Sequence, residues 1–557
     1  MGKGKRSHTI SSAPAITSLV SSIPLRSSGD LVLSLAPTHF LSRPSTVNQP
    51  SPKSITSPVL PPRLRWTPQR QPKREYDDLA HKMESAPLLI LISTYLNWFV
   101  LILLGHMRDS MGKIFKRKEY QYLKVSEGYA PIVSDFDSFY TRRLYMRIRD
   151  CWNRPITGVA SRTVHLLERE TKDFNQTFQL IGSVKENLNF GSYNYLGFAQ
   201  NQGPCADAVH EQTLASGLVS ASPRAEAGTT ELLVQLERLV ARFVGKEAAM
   251  VVSMGFATNS TTLPALVGKG SLIISDELNH SSIVFGARLS GASVRVFKHN
   301  SMQDLQQLLR EVISQGQPRT HRPWKKIWVI VEGLYSMEGT IVNLPELIRL
   351  KEQFKFYLYV DEAHSIGALG EHGGGVCDFY GVDPANVDIL MGTFTKSFGA
   401  AGGYIAASKD VIDYLHTCNH AYVYAEVMPV PVIQQVMTSM RLICGHEEGR
   451  WRIRQLSDNA LYFARRLREM GFIVYGDHGS PVIPLLLFNP AKIAAFSREL
   501  LKRGVAIVVV GYPATSIISS RARFCVSASH TKEDIERALG IISEVGDLLM
   551  LKFNRSN

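Results

Sequence analysis

The sequence predicts an α/β protein: a large, mostly parallel sheet covered on both faces, a smaller α+β domain after it, and one membrane helix ahead of both. Three observations carry this. From about residue 185 to residue 425, short continuous apolar runs alternate with stretches of helical period, the texture of parallel strands buried on both faces. Beyond residue 425 that alternation gives way to a long helical stretch and then four apolar runs, GFIVYG, PVIPLLLF, GVAIVVVGYP and RARFCVSAS. Upstream, the 19 residues from Ala86 to Leu104 carry no charge.

Taken in chain order, residues 1–80 are rich in Ser, Pro and basic residues and hold no helical or strand period, so they read as a disordered tail. Their scarcity of acidic residues also fits a transit peptide, a reading second to that of a variable solvated tail. The segment 86–106 is long enough, at about 1.5 Å per residue, to cross a bilayer core as a helix. A core helix of a soluble protein is the alternative, but one rarely runs so far without a charge. The basic residues Arg108, Lys113, Lys116, Arg117 and Lys118 follow it, which places the remainder of the chain on the cytosolic side. Residues 135–190 lead into the catalytic body. Residues 191–425 form the large domain, with strands expected in AAMVVS, GSLIISD, VRVFKH, KIWVIVEG, FYLYVDEA, DILMGTF and GGYIAAS. Helices are expected in QDLQQLLREVI and NLPELIRLKEQF between them, and residues 426–552 form the small domain.

Composition narrows the function. A chain of 557 residues, 45% hydrophobic and 20% charged, is neither disordered nor fibrous. The net charge of +13 admits nucleic acid, an anionic membrane or a phosphorylated ligand. No nucleic-acid module or basic–aromatic surface pattern is present, so nucleic acid is not expected. The six cysteines form no CxxC pair, which argues against zinc and a disulfide framework and for reducing surroundings. No metal is expected.

The chemistry concentrates between Phe356 and Gly403. One apolar strand ends in Asp361; the next ends near Gly392, and Lys396 follows in a turn rich in Thr and Gly. Ligands of parallel α/β sheets bind beyond the carboxyl ends of the strands, where both groups would lie. Alone, the Asp is most often a cap and the Lys a solvated surface residue. Together they suit pyridoxal phosphate: the lysine forms a Schiff base and the carboxylate keeps the pyridine nitrogen protonated. Thr393 and Thr395 offer hydroxyls to a phosphate, and Gly399, Gly402 and Gly403 permit close backbone approach.

VDEAHS, GTFTKSFGAAGGY, SDELNHSS, VEGLYSMEG and SYNYLGFA together resemble the α-oxoamine synthase family, fold-type I pyridoxal phosphate enzymes. Within it they look like the lysine-bearing long-chain-base subunits of eukaryotic serine palmitoyltransferase, and the likeness runs from about Asp135 to Lys552. The resemblance implies roles. Lys396 would hold the cofactor and later carry the α-proton. Asp361 would pair with the pyridinium, His364 would bond the phenolic oxygen, and His280 would stack on the ring. Gly255, Phe256 and Asn259 would begin a helix beneath the phosphate, where free N–H groups favour an anion. Ser336 would present another hydroxyl to the cofactor, and Gly511–Ser516 (GYPATS) would be a lid. Arg523 would meet the substrate carboxylate, with Arg521, on the same strand face, in reserve. The implied reaction condenses L-serine with a long-chain acyl-CoA to 3-ketosphinganine. It would occur at the endoplasmic reticulum membrane with the catalytic body in the cytosol, in a heterodimer with the related subunit that lacks the lysine.

The chain also departs from the family pattern. Val219 and Leu233 stand where a glycine and a histidine are usual, although Arg224 and Gly228 are kept. Glu426 occupies a segment that usually carries hydroxyls for a phosphate across the dimer interface; a carboxylate there would repel it, unless it points to solvent. These departures support the alternative of a non-catalytic scaffold-type subunit; another α-oxoamine synthase, using a different amino acid or a shorter acyl-CoA, is a further alternative that the membrane helix disfavours.

Overall fold

Every apolar run singled out between residues 248 and 407 forms a strand. The computed structural model describes residues 86–116, 118, 120, 128–129, 135–445 and 447–553, so the expected 1–80 tail lies outside the described residues. In chain order the strands are β1 (Ile156–Thr157), β2 (Thr163–Glu170), β3 (Gln179–Asn189), β4 (Ala248–Val252), β5 (Leu272–Asp276), β6 (Ser293–Phe297), β7 (Ile327–Glu332), β8 (Tyr357–Asp361), β9 (Ile389–Thr393) and β10 (Gly403–Ala407). β11 (Val482–Phe488), β12 (Val505–Ala506), β13 (Val508–Val510) and β14 (Ser520–Cys525) complete them.

Seven strands form the large sheet in the order β4-β10-β9-β8-β7-β5-β6. All neighbours are parallel except β10, which runs antiparallel to both β4 and β9. Because side chains alternate along a strand, each strand feeds two cores. Val329, Val331, Leu358 and Val360 face one way, against the helices Glu231–Phe243 and Leu344–Phe354. Ile330, Tyr359, Met391 and Ile405 face the other way, against Gly255–Leu266 and Ser281–Leu289. Local sequence sets the helix starts: Ser301 and Asn343 cap Met302–Gln315 and Leu344–Phe354, and Thr531 with Asp534 forms a capping box.

The small lobe is built from both ends of the chain. β11-β14-β13 form a three-stranded sheet, and β1-β2-β3-β12 a four-stranded one in which C-terminal β12 runs parallel to β3. Residues 135–190 are therefore structural partners of the C-terminal segment. Phe190, fully buried, stacks on Phe463 at 5.2 Å and meets Phe524 edge-on at 6.0 Å. The expected strand in GFIVYG is reduced to an isolated bridge between Val474 and Leu485. The helical stretch over 431–471 forms Val430–Gly445 and Glu447–Glu469. All six cysteines are free.

The apolar segment forms a helix over Leu88–Phe115, nine residues longer at its C-terminal end than 86–106, and one face of it is committed to the body. Asn97 donates to Asn489 Oδ1 at 3.1 Å, and Trp98 Nε1 donates to the Ile517 carbonyl at 3.2 Å. His106 stacks on Phe139 at 4.1 Å, and buried Asp109 is paired with Arg142 at 3.1 Å and with Arg143. The other face, including Leu89, Leu96, Phe99, Leu103, Met107 and Ile114, is exposed.

Phe190→Ala removes the aromatic that joins the two ends of the chain in the small lobe. A Phe→Ala change in a packed core costs about 3–5 kcal/mol. The expected result is a clearly lower denaturant midpoint for the small lobe, followed through near-ultraviolet dichroism, with the large-sheet signal less affected.

Candidate active site

The site forms at the carboxyl ends of β7, β8 and β9. Glu332 and Asp361 close neighbouring parallel strands in register, so their side chains lie on one face, about 4.8 Å of strand spacing apart. Both are buried. Asp361 Oδ1 accepts the Ala363 N–H at 2.9 Å, and Oδ2 accepts Asn259 Nδ2 at 2.7 Å. Asn259 is fixed in turn, because its Oδ1 accepts the Tyr359 hydroxyl at 2.7 Å and its Nδ2 also reaches Ser282 Oγ at 3.0 Å.

From Ser282 the network continues to His280. Ser282 Oγ lies 2.8 Å from His280 Nδ1, which also accepts the Ser282 N–H at 3.2 Å. With Nδ1 accepting, the neutral ring carries its proton on Nε2. The His280 backbone N–H then donates to Glu332 Oε1 at 2.5 Å. Burial lowers the His280 pKa, Asp361 opposes this, and Lys396 adds to it. The ring caps the helix Ser281–Leu289 and presents an exposed face, with Phe256 edge-on at 6.4 Å.

Lys396 follows β9 and is half-buried, its Nζ 5.7 Å from the centre of the Tyr193 ring. Burial brings its pKa down to about 8, with Asp361 and Glu332 opposing and Arg523 reinforcing the shift. The amine is therefore largely neutral above pH 8, as a nucleophilic lysine requires. His364 is buried with Nδ1 2.8 Å from the Tyr195 hydroxyl. Burial, then Lys396, Arg523 and His280, hold it far below its usual pKa, so it is neutral.

Gly255, Thr393, Thr395 and Gly402, the residues expected around a phosphate, lie together. Gly255 opens its helix against the turn: a Cβ there would sit 3.1 Å from Thr393 Oγ1 and 3.8 Å from Thr395 Cγ2. Thr393 Oγ1 donates to the Gly402 carbonyl at 2.9 Å and lies 2.8 Å from Thr395 Oγ1, leaving Thr395 the exposed member of the pair. Gly402, at φ 86°, admits the backbone where a side chain would strike Met428 and the Val252 carbonyl.

On the small-lobe side, β14 carries both arginines. Arg523 is buried; its Nη1 donates to the Ser336 carbonyl at 3.3 Å, its guanidinium lies 4.7 Å from the Tyr193 ring centre, and its buried Nε has no acceptor. Arg521, the reserve candidate, is ion-paired with Glu338 at 3.2 Å and donates to the Met337 carbonyl at 3.0 Å. Asn259, in the helix that Gly255 opens, turns its side chain to Asp361. Ser336 is buried, and its contact with Arg523 is through its backbone. The GYPATS loop is held from outside, where the Tyr140 hydroxyl donates to the Tyr512 carbonyl and the Tyr140 and Trp98 rings meet Tyr512 edge-on at 5.1 and 6.5 Å.

Leu233 is fully buried in the helix core, Val219 is 42% exposed, and Glu426 is exposed with its backbone bridged to Pro223. Arg224 forms a buried bidentate pair with Glu237. Sequence reasoning missed Glu332, Ser282, Tyr359, Tyr193 and Tyr195, although all stand inside runs it had singled out.

A lysine of depressed pKa, a buried carboxylate on the next strand, a ring-facing histidine, a Gly/Thr cradle and an arginine with an orphaned donor together fit pyridoxal phosphate and a carboxylate substrate. The fold and site define a fold-type I pyridoxal phosphate-dependent transferase. The model of the family described as aminotransferase class I and II matches residues 185–542. Serine palmitoyltransferase 2 of Schizosaccharomyces pombe is 54% identical over 467 residues, covering 83% of this chain and 77% of that protein. The solved structure of Sphingomonas wittichii serine palmitoyltransferase superposes with a TM-score of 0.66 at 28% identity, covering 76% of this chain and 99% of the other. A serine palmitoyltransferase solved with its pyridoxal phosphate bound matches at TM-score 0.66 and 26% identity, covering 76% and 100%. The chain belongs to the aminotransferase class I and II family and, within it, to the serine palmitoyltransferase 2 group.

Cofactor uptake should follow the Lys396 titration. Stopped-flow absorbance of the cofactor-free protein mixed with pyridoxal phosphate is expected to show uptake accelerating through about pH 8 and levelling above it. A rate still climbing towards pH 10.5, the ordinary lysine range, would contradict the assignment.

Proposed function

We propose that the protein is the catalytic subunit of a serine palmitoyltransferase, condensing L-serine with a long-chain acyl-CoA. The observation that carries this is the grouping of Lys396, Asp361 and Arg523, whose Nε has no acceptor, at the ends of the large-sheet strands facing β14. Bound pyridoxal phosphate supplies the electron sink for charge developing at the substrate α-carbon. Asp361, held by Asn259, keeps the ring nitrogen protonated, and His280 covers the ring face. Arg523 orients the serine carboxylate. With serine bound at the cofactor, the Lys396 amine would take the α-proton. The α-carbon would then bond to the thioester carbonyl as the C–S bond breaks and coenzyme A leaves as the thiolate; after loss of the carboxylate as carbon dioxide, the Lys396 ammonium would return its proton to the α-carbon, giving 3-ketosphinganine. Exposed Met254, Phe256, Phe285 and Leu289 beside the site support its completion by the related lysine-lacking subunit in a heterodimer.

The apolar helix supports attachment to the cytosolic face of the endoplasmic reticulum membrane. Its uncharged stretch is long enough to span, while Asn97, Trp98 and, beyond that stretch, the buried Asp109 ion pair hold one face of the helix to the body. Its exposed apolar stripe fits a helix lying in the plane of the interface.

Lys396→Ala should abolish product formation from serine and palmitoyl-CoA by the protein co-expressed with its partner subunit, while the circular dichroism of the fold survives. Near-normal turnover would remove the proposed mechanism. Separately, Leu96→Glu with Leu103→Glu is expected to release most of the protein from membranes on flotation. A glycosylation acceptor added at the N-terminus should stay unmodified, whereas a spanning helix would expose it to the lumen.

A further inference from the structure

The geometry points to Glu332 as a positioning residue that locks the ring-facing His280 to the end of the strand beside Asp361. This rests on the pyridoxal phosphate reading of the site. Four hydrogen bonds lead from one buried carboxylate to the other: Asp361 to Asn259 at 2.7 Å, Asn259 to Ser282 at 3.0 Å, Ser282 to His280 at 2.8 Å, and the His280 backbone N–H to Glu332 at 2.5 Å. Because Glu332 and Asp361 are in-register neighbours on β7 and β8, the chain of bonds closes on itself through the sheet. His280 precedes its helix, so its backbone N–H has no acceptor within that helix, and a buried donor left unpaired is costly. Glu332 Oε1 is the acceptor that fixes where the helix starts and hence where the imidazole stands.

The charge state agrees with such a role. Burial raises the Glu332 pKa well above the usual range, Asp361 raises it further, and Lys396 opposes. A neutral acid here leaves Asp361 as the negative charge available to the ring nitrogen, since two carboxylates so close cannot both stay ionised cheaply. What the position requires is an acceptor of carboxyl shape, which an amide also provides.

Three variants separate this role from its competitors: Glu332→Gln keeps an acceptor without charge, Glu332→Ala removes the acceptor, and Glu332→Met removes it while nearly conserving volume. The first readout is hydrogen–deuterium exchange of the His280 amide in cofactor-free protein; the second is the visible circular dichroism of bound cofactor, which reports the asymmetry of its surroundings. The expected result is parent-like behaviour for Glu332→Gln. For Ala and Met, His280 exchange should be about tenfold faster and cofactor retention about tenfold weaker, with reduced dichroism. Parent-like His280 exchange in Glu332→Met overturns the proposal even if Glu332→Ala fails to fold. Glu332→Gln as impaired as Ala also overturns it, because the charge would then be the requirement. A parent protein that gave no cofactor band would sink the underlying site reading, while amide exchange without cofactor would still decide this one.

Discussion

A carboxylate that must stay useful inside a protein has to be held by donors that ask for nothing else, and the rest of this site depends on how Asp361 is held. Its two oxygens take a backbone N–H and the Asn259 amide. That amide has one orientation that satisfies Tyr359 as donor and Asp361 as acceptor together, so the carboxylate and the helix Gly255–Leu266 are fixed relative to each other. The same helix carries Gly255 to the Thr393–Thr395 turn. The distance from the Thr393–Thr395 turn to Asp361 is thus set by one rigid element.

The second lobe closes the site from the opposite side, and its construction explains the position of Arg523. β14 lies between β11 and β13, with its core face packed on Phe463, Phe496 and Leu539. The alternation of that strand sends Phe524 inward and Arg521 and Arg523 outward towards the large sheet. Glu338 neutralises Arg521, which leaves Arg523 beside Tyr193 and Lys396. Two arginines two residues apart look equivalent in sequence; the location of one acid, 183 residues away along the chain, makes them different.

What was legible in the sequence follows from range. The strands of the large sheet were legible because burial on both faces writes itself into consecutive apolar residues. Lys396, Asp361, His364 and His280 were legible because strand ends and short motifs are local signals. Glu332 and Ser282 were not, because their importance lies in bonds to partners 52 and 23 residues away, whose geometry only the tertiary fold supplies. GFIVYG misled because an apolar run can be buried without pairing. The small lobe was read as a C-terminal unit because nothing in residues 163–189 announces that β3 pairs with a strand beyond residue 500.

The apolar helix shows the same limit in another form. Hydropathy along Leu88–Phe115 reports how much of the helix prefers to leave water, but not which face has already done so. Thr94, Asn97, Trp98, Gly105, Asp109 and Gly112 recur at three- and four-residue spacing, and five of these six are buried against the body. Glycine at 105 and 112 lets Phe139 and Tyr120 approach the helix backbone, since a Cβ at either place would meet a ring within 3 Å. The polar members of the stripe, which weaken a case for spanning, are thus the ones that bind the body. Through Trp98 the helix also holds the loop between β13 and β14, the strand that carries Arg523. The exposed apolar stripe and Arg523 are consequently two ends of one short, continuous run of packed structure.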